Sequence, residues 1–358
     1  MLSGPSIRSN CLFWILILFL GLALAGSSVA GAEVKKPWGD PSILPPGAQL
    51  EKLFDAGCTL TEGVAAGHDG MMYFSDITFT VACRDEKGVM EAGHIWKYNP
   101  QTGETTIFRS PSGMSNGIKF DAEGNMIVAE GADYGGRRII KTDMKTGKSY
   151  IIAGLYNGRP FNAPNDITID EQGRIYFSDP RYLGHEPVDQ PVMGVYRIDP
   201  DGSIRIIITD AGKPNGVSIS PDQKTLYVVC NDNGATGFDR LPKGMGTRKG
   251  SHALFAYDLA ADGTAKFRKV LVNYYPEDGP DGLVVDAEGN LYIAERNQKR
   301  PGISVRNPEG KELAFIPTEV PTNVGFGRGA DSKILYITAG KSLYRIKMMK
   351  DGYHLPPK

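Results

Sequence analysis

Residues 160–180 read P-F-N-A-P-N-D-I-T-I-D-E-Q-G-R-I-Y-F-S-D-P, and this stretch decides the fold. A polar residue, Asn165, opens a short apolar strand. A D-E-Q-G turn follows, and a second strand rich in β-formers ends on Asp179. The same unit recurs as T-E-G-V from Thr61, S-N-G-I from Ser115, P-N-G-V from Pro214, P-D-G-L from Pro280 and T-N-V-G from Thr322. The six openers are therefore Glu62, Asn116, Asn165, Asn215, Asp281 and Asn323. Their spacings by subtraction are 54, 49, 50, 66 and 42, close to the roughly 40–50 residues of a propeller blade. In four units an acid closes the second strand fourteen positions after the opener: Asp76, Glu130, Asp179 and Glu295. Between openers lie further hairpins around turns such as N-P-Q-T-G, D-P-D-G and A-D-G. The pattern predicts an all-β chain folded as a six-bladed β-propeller with four-stranded blades. Its openers converge on one channel.

The ring also predicts its own closure. The last unit supplies three strands and then runs out in K-D-G-Y-H-L-P-P-K, whereas Q-L-E-K-L-F-D before the first opener is a strand without a partner. Residues from about Gln49 to Asp55 are expected to complete the sixth blade. Closure removes the free edges that template aggregation. A blade cannot bury its own faces, so the expected catalytic domain is the whole of residues 48–358 rather than two domains.

Arg8 followed by the apolar run Cys11 to Ala25 reads as a signal peptide over residues 1–32, with small residues offering cleavage before Gly31 or before Glu33. The run is short for a bilayer span of about 20 residues. An exported protein, periplasmic or secreted, with no membrane association after cleavage is expected. Residues 33–47 read as a proline-rich lead-in with no core of its own. Three cysteines then remain, and two readings stand: Cys58 and Cys83, which flank the first hairpin, are joined as export permits, or all three are buried thiols.

With 40 basic and 41 acidic residues interspersed along the chain, no basic stripe marks a nucleic-acid face. The chemistry is expected at the openers. Glu62, Asn165, Asn215 and Asp281 provide two carboxylates and two amide oxygens, the donor set of a hard divalent cation, most naturally Ca²⁺. No His or Cys stands at an opener, which argues against a zinc site of nitrogen and sulfur. The competing reading is that Asn-Gly and Asp-Gly merely form turns; their recurrence at one repeat position favours the site. Asn116 shares that position and is assigned to substrate binding, and Asn323 to structure. Asn162, Arg181 and His185, with Tyr182, flank the S-D-P turn and are expected to line the mouth. Asp76 and Asp179 are expected to hold neighbouring loops. The long fourth unit carries an insertion over residues 231–251, either a lid or a surface excursion.

The segments T-E-G-V…Y-F-S-D, F-N-A-P-N-D-I…I-Y-F-S-D-P, K-P-N-G-V-S-I-S-P-D-Q-K-T-L-Y-V, G-P-D-G-L-V-V-D-A-E-G-N-L-Y-I-A and T-N-V-G-F-G…I-L-Y-I-T together resemble the gluconolactonase family. That family includes the senescence-marker lactonases (regucalcin) and the squid-type phosphotriesterase, and the resemblance covers about residues 50–348. It implies a six-bladed propeller with one catalytic divalent ion in the channel. Glu62, Asn215 and Asp281 match its metal-binding Glu, Asn and Asp. Asn165 matches the Asn of an N-D pair that holds ion or substrate, and Asp281 the residue assigned as general base or nucleophile. Where the senescence-marker lactonases carry an Arg that grips sugar hydroxyls, this chain has Ala163. The implied activity is divalent-metal-dependent opening of a sugar lactone to its hydroxy acid, the partner being that small molecule. The alternatives are a phosphotriesterase or apolar-lactone hydrolase on the same platform, or a non-catalytic binding propeller.

Overall fold

The computed structural model describes residues 36–80, 82–235 and 250–356, and residues from Lys36 onward form one compact unit. The expected signal segment lies outside the described residues, as do residues 236–249 of the insertion.

Among the described residues six antiparallel sheets of four or five strands, the blades, follow one another along the chain, and a two-stranded ribbon, Leu155–Tyr156 with Arg159–Pro160, stands between the second and the third. Blade 1 runs through Leu60–Ala66, Met72–Ile77, His94–Tyr98 and Thr105–Arg109. The first strands of the later blades are Ser115–Phe120, Ile167–Ile169, Pro214–Ile219, Leu283–Val285 and Pro321–Phe326. These six inner strands touch in cyclic order, and the sixth returns to the first. The ring is therefore a closed six-bladed propeller, as the repeat predicts. Closure is made by Glu51–Phe54, which pairs with Ser342–Lys347 on the outside of blade 6. Phe54 then packs its ring 5.4 Å from Phe74 and 4.9 Å from Trp96 of blade 1.

Alternation along each strand sends apolar side chains to both faces of a blade, so the core is distributed between blades. Six buried clusters fill these interfaces, one for each pair of neighbours. A recurring latch ties the turn to its blade in four of the six blades. The tyrosine of the second strand donates to the turn aspartate in Tyr73–Asp69, Tyr176–Asp170, Tyr292–Asp286 and Tyr336–Asp331, at 2.9–3.1 Å.

The lead-in departs from expectation in one respect. Trp38–Gly39 adds a fifth strand to blade 5, and Ile43 and Leu44 are buried in the interface between blades 5 and 6. Their proline-rich surroundings suppress the strand pattern in the sequence, but two adjacent apolar side chains suffice to anchor the segment. Cys58 and Cys83 form a disulfide with Cα atoms 6.1 Å apart, and Cys230 is a buried free thiol. Of the two cysteine readings, the bridged one holds.

Candidate active site

Glu62, Asn116 and Asn215 are aimed by defects in their strands, whereas Asn165 and Asp281 stand just ahead of theirs. Pairing of inner and second strands slips between Glu62 and Ala65, between Ser115 and Ile118, and between Pro214 and Val217. Such bulges re-aim a side chain that a regular pleat would point into a neighbouring sheet. The glycine after the opener has a different purpose from turn formation. A Cβ on Gly63 would lie 1.9 Å from Asn116 O, one on Gly117 2.6 Å from Asn165 O, and one on Gly216 2.5 Å from Asp281 O. Each glycine thus admits the next opener's backbone. Gly117 and Gly216 donate their N–H groups to Asn165 O (2.7 Å) and Asp281 O (3.1 Å). The third unit has Asp166 where a glycine would stand, and that carboxylate receives the Val217 N–H at 3.1 Å.

The result is a cavity of about 250 Å³ at the channel mouth. Glu62, Asn116, Asn165, Asn215 and Asp281 line it together with Tyr182 and Arg296. Five of the six openers are therefore brought to one place. Asn323 does not line the cavity; its Nδ2 reaches Glu62 Oε2 at 3.4 Å and its Oδ1 receives the Val324 N–H. Leu60, Ile77, Phe79, Met114 and Leu183 give the cavity an apolar wall. Three residues of this rim, Phe79, Met114 and Asp133, hold left-handed backbone conformations (φ 43°, 55° and 71°), the kind of strain that concentrates where a site is shaped.

Burial governs the electrostatics. It raises Glu62 well above the usual carboxylate range, and the nearby Asp281 carboxylate adds to the effect. Asp281 is raised by burial too, against the opposing pull of Arg296, whose Nη1 donates to Asp281 Oδ2 at 2.6 Å. Asp166 is raised by burial as well. Tyr182 is held far above the ordinary phenol range by burial and then by Asp281, so its hydroxyl stays protonated. That hydroxyl accepts a hydrogen bond from Asn215 Nδ2 at 3.3 Å. Lys213 Nζ braces the same ring from 4.8 Å.

Among the described residues, no group of three or more His, Cys, Asp or Glu side chains is disposed to hold a metal ion. The channel's set is different: two carboxylates supplemented by amide oxygens. Asn116 Oδ1 is buried in the cavity without a hydrogen-bond partner, an acceptor that a cation or a substrate hydroxyl would satisfy. The oxygen donors of the openers, two mutually repelling carboxylates and an unsatisfied carbonyl together fit a hard divalent cation held by Glu62, Asn165, Asn215 and Asp281.

Three expected mouth residues do not line the cavity. Asn162 is fully buried, receiving the Gln190 N–H at 3.0 Å and donating to Gln190 O. Arg181 is fully buried as well, donating to Asn162 O at 2.8 Å and to Glu186. Glu186 in turn receives the N–H groups of Asp133 and Tyr134 at 3.0 and 2.6 Å, and Asp133 holds Thr80. His185 stands behind Asp133 Oδ1 at 3.4 Å and beside the Tyr134 ring. These three residues hold the rim in shape from one layer out. Their nearness in sequence to the S-D-P turn indicates the right loop, but not which of its side chains turn inward. Tyr182 does so. Asp76 and Asp179 hold loops as expected: Asp76 receives Cys58 N–H and Trp96 Nε1, and Asp179 the N–H groups of Asn162 and Ala163.

Arg296, Asn231 and Asn233 are lining residues that the repeat does not signal. Arg296 follows the closing acid Glu295, so the acid's repeat position locates it only in hindsight. Asn231 and Asn233 begin the insertion, which therefore reaches the cavity at its start.

A fold and a site of this kind define a class: closed six-bladed propellers whose channel openers form an oxygen-lined cavity. Residues 60–341 match the SMP-30/gluconolactonase/LRE-like region, and the chain belongs to that family. It is 30% identical over 285 residues to the gluconolactonase of Zymomonas mobilis, covering 72% of each chain. It is 25% identical over 303 residues to a pentonolactonase of Haloferax volcanii, covering 81% of this chain and 84% of that one. Among solved structures, a gluconolactonase from Xanthomonas campestris superposes with a TM-score of 0.71 at 25% identity, over 88% of this chain and 96% of the other.

Proposed function

We propose that the protein is a divalent-cation-dependent hydrolase that opens a sugar lactone to its hydroxy acid. The observation that carries the reading is the convergence of Glu62, Asn116, Asn165, Asn215 and Asp281 on one cavity of small-molecule size. The relatives named gluconolactonase and pentonolactonase support the substrate class. Ca²⁺ is the cation favoured by the donors, and when bound it would polarise the lactone carbonyl as a Lewis acid.

The chain's own residues supply the rest. Asp281 accepts a proton from water as the water oxygen bonds to the carbonyl carbon. When the acyl C–O bond of the ring breaks, Asp281 returns that proton to the departing ring oxygen, leaving a free hydroxyl and a carboxylic acid. Tyr182 donates a hydrogen bond into the cavity, and Asn116 Oδ1 accepts one from a substrate hydroxyl. The apolar wall favours a second reading, a lactone with an alkyl arm seated against Phe79, Met114 and Leu183. The leader-like residues 1–32 support export of the mature protein.

The test is a pH-indicator screen of aldonolactones, acyl homoserine lactones and phosphotriesters, with and without chelator. Chelator-sensitive turnover of aldonolactones is expected. Turnover confined to alkyl lactones would select the second reading, and inertness toward every lactone would reject both.

A further inference from the structure

Arg296 is the one cationic side chain lining the cavity among the described residues. Its placement is fixed by the backbone. Asp281 N–H donates to Ala294 O at 2.9 Å and Ala294 N–H to Gly282 O at 3.0 Å. This hairpin pairing sets the opener against the end of strand Leu291–Glu295, and Arg296 is the next residue. Its Nη1 reaches Asp281 Oδ2 at 2.6 Å, with the guanidinium side chain 27% exposed and the carboxylate 8%. A mostly desolvated, charge-assisted bond of this length is among the stronger contacts a protein makes. Asp281 is also one of the two carboxylates available to a divalent cation.

We propose that Arg296 is a positioning residue that competes with the divalent cation for Asp281. It serves as the counter-ion of the metal-free site and is drawn off that carboxylate toward the open cavity when the cation is bound. This rests on the divalent-cation part of the reading above. Two physical effects act in the same direction. The guanidinium occupies an oxygen that the cation needs, and its positive charge repels the cation at short range. Removing it therefore tightens cation binding. Removing it also leaves Glu62 and Asp281 without a counter-ion in the metal-free protein, which is destabilised. A residue that merely oriented Asp281 for the metal would give the opposite sign, because its loss would weaken binding.

The experiment compares wild type with Arg296→Met, which keeps the length of the stem without the charge, and with Arg296→Lys, which keeps the charge without the planar fork. Ca²⁺ affinity is measured by titration against a competing chelating dye, and thermal melting with and without EDTA. For Arg296→Met we expect Ca²⁺ to bind at least about tenfold more tightly, the factor one charged hydrogen bond supplies. Its EDTA-treated melting temperature should fall while the Ca²⁺-saturated one holds. Arg296→Lys should lie between. Unchanged or weaker Ca²⁺ affinity in a folded Arg296→Met protein overturns the inference and leaves the lactonase reading intact. A wild type that binds no Ca²⁺ yet opens lactones in EDTA overturns the inference and the cation reading together.

Discussion

Asp281→Asn is the substitution that separates the two duties assigned to Asp281. The amide keeps one oxygen for a cation and nearly the same volume, but it cannot take a proton from water. Loss of a general base costs roughly 10²–10⁴-fold in turnover, or about 3–5 kcal/mol of barrier at 1.36 kcal/mol per decade. The stability change is expected to be much smaller. The variant loses the charged bond from Arg296 Nη1 at 2.6 Å, a contact worth about 1.5–3 kcal/mol. It also relieves the burial that raises Asp281 and the repulsion that this carboxylate adds at Glu62. These opposing effects leave folding within about 1 kcal/mol of wild type. The assay is initial rate on gluconolactone by pH indicator in saturating Ca²⁺, with bound metal and melting temperature measured on the same samples. Glu62→Gln is the control: it should chiefly weaken Ca²⁺ binding and recover much of its activity when Ca²⁺ is raised. If Asp281→Asn turns over within a few fold of wild type with metal bound, Asp281 is a ligand alone and the base is another group of the channel.

Three further outcomes follow from the structure. Deletion through Lys36 should leave a soluble, cooperative protein. Deletion through Asp55 removes the closing strand, the Glu51–Arg345 pair and the contacts of Phe54 with Phe74 and Trp96, several kcal/mol of burial and aromatic packing, and should aggregate on size-exclusion chromatography. A fully active protein lacking those residues would contradict ring closure by this strand. EDTA should lower the melting temperature of protein saturated with Ca²⁺ by several degrees, since ligand at about 100 times its Kd contributes about 2.7 kcal/mol; identical curves, with no metal by elemental analysis, would reject the cation. Two buried groups give opposite pH slopes. Burial pushes Asp179 up to about 7 from 3.8, so its contribution is complete below about pH 4 and is lost as pH rises to about 7. Burial, then Arg328, pushes His354 down to about 4 from 6.5, so its contribution is complete above pH 6.5 and is lost as pH falls to about 4. Relative to wild type, His354→Gln should tilt stability downward with rising pH across 4–7, and Asp179→Asn should tilt it upward; parallel profiles for all three proteins would refute both assignments.

The openers were legible because a propeller writes its channel into the sequence at blade intervals. Glu62, Asn165, Asn215 and Asp281 recur at one position, and the ring carries that position to one place. Closure was legible for a similar reason: a three-stranded sixth unit and a partnerless strand before Glu62 answer each other. The purpose of the glycines is not legible in the sequence. Asn-Gly suggests a turn, whereas Gly63, Gly117 and Gly216 admit a neighbouring backbone whose approach depends on blade packing. Arg296 could not be read in the same way. It repeats nowhere, and its reach to Asp281 depends on the register between residues 281–282 and Ala294. Asn162 and Arg181 show the converse limit: polar side chains beside a site loop can be consumed by that loop's own hydrogen bonds, which only three-dimensional bookkeeping shows.

The separation of core from channel explains how this architecture keeps its chemistry adjustable. Apolar burial is divided among six interfaces between blades, whereas the openers are placed by backbone bonds such as Gly117 N–H to Asn165 O and Gly216 N–H to Asp281 O. A side-chain substitution at an opener leaves those bonds and all six interfaces in place. Stability changes at openers in different blades should therefore be nearly additive. Cation affinity should not be, because Glu62, Asp281 and Arg296 feel one another's charge across the same cavity. In a double-mutant cycle of Glu62→Gln and Arg296→Met, the coupling should be large in Ca²⁺ affinity and small in the Ca²⁺-saturated melting temperature. Such a split would locate the electrostatic unit in the channel and the folding unit around it.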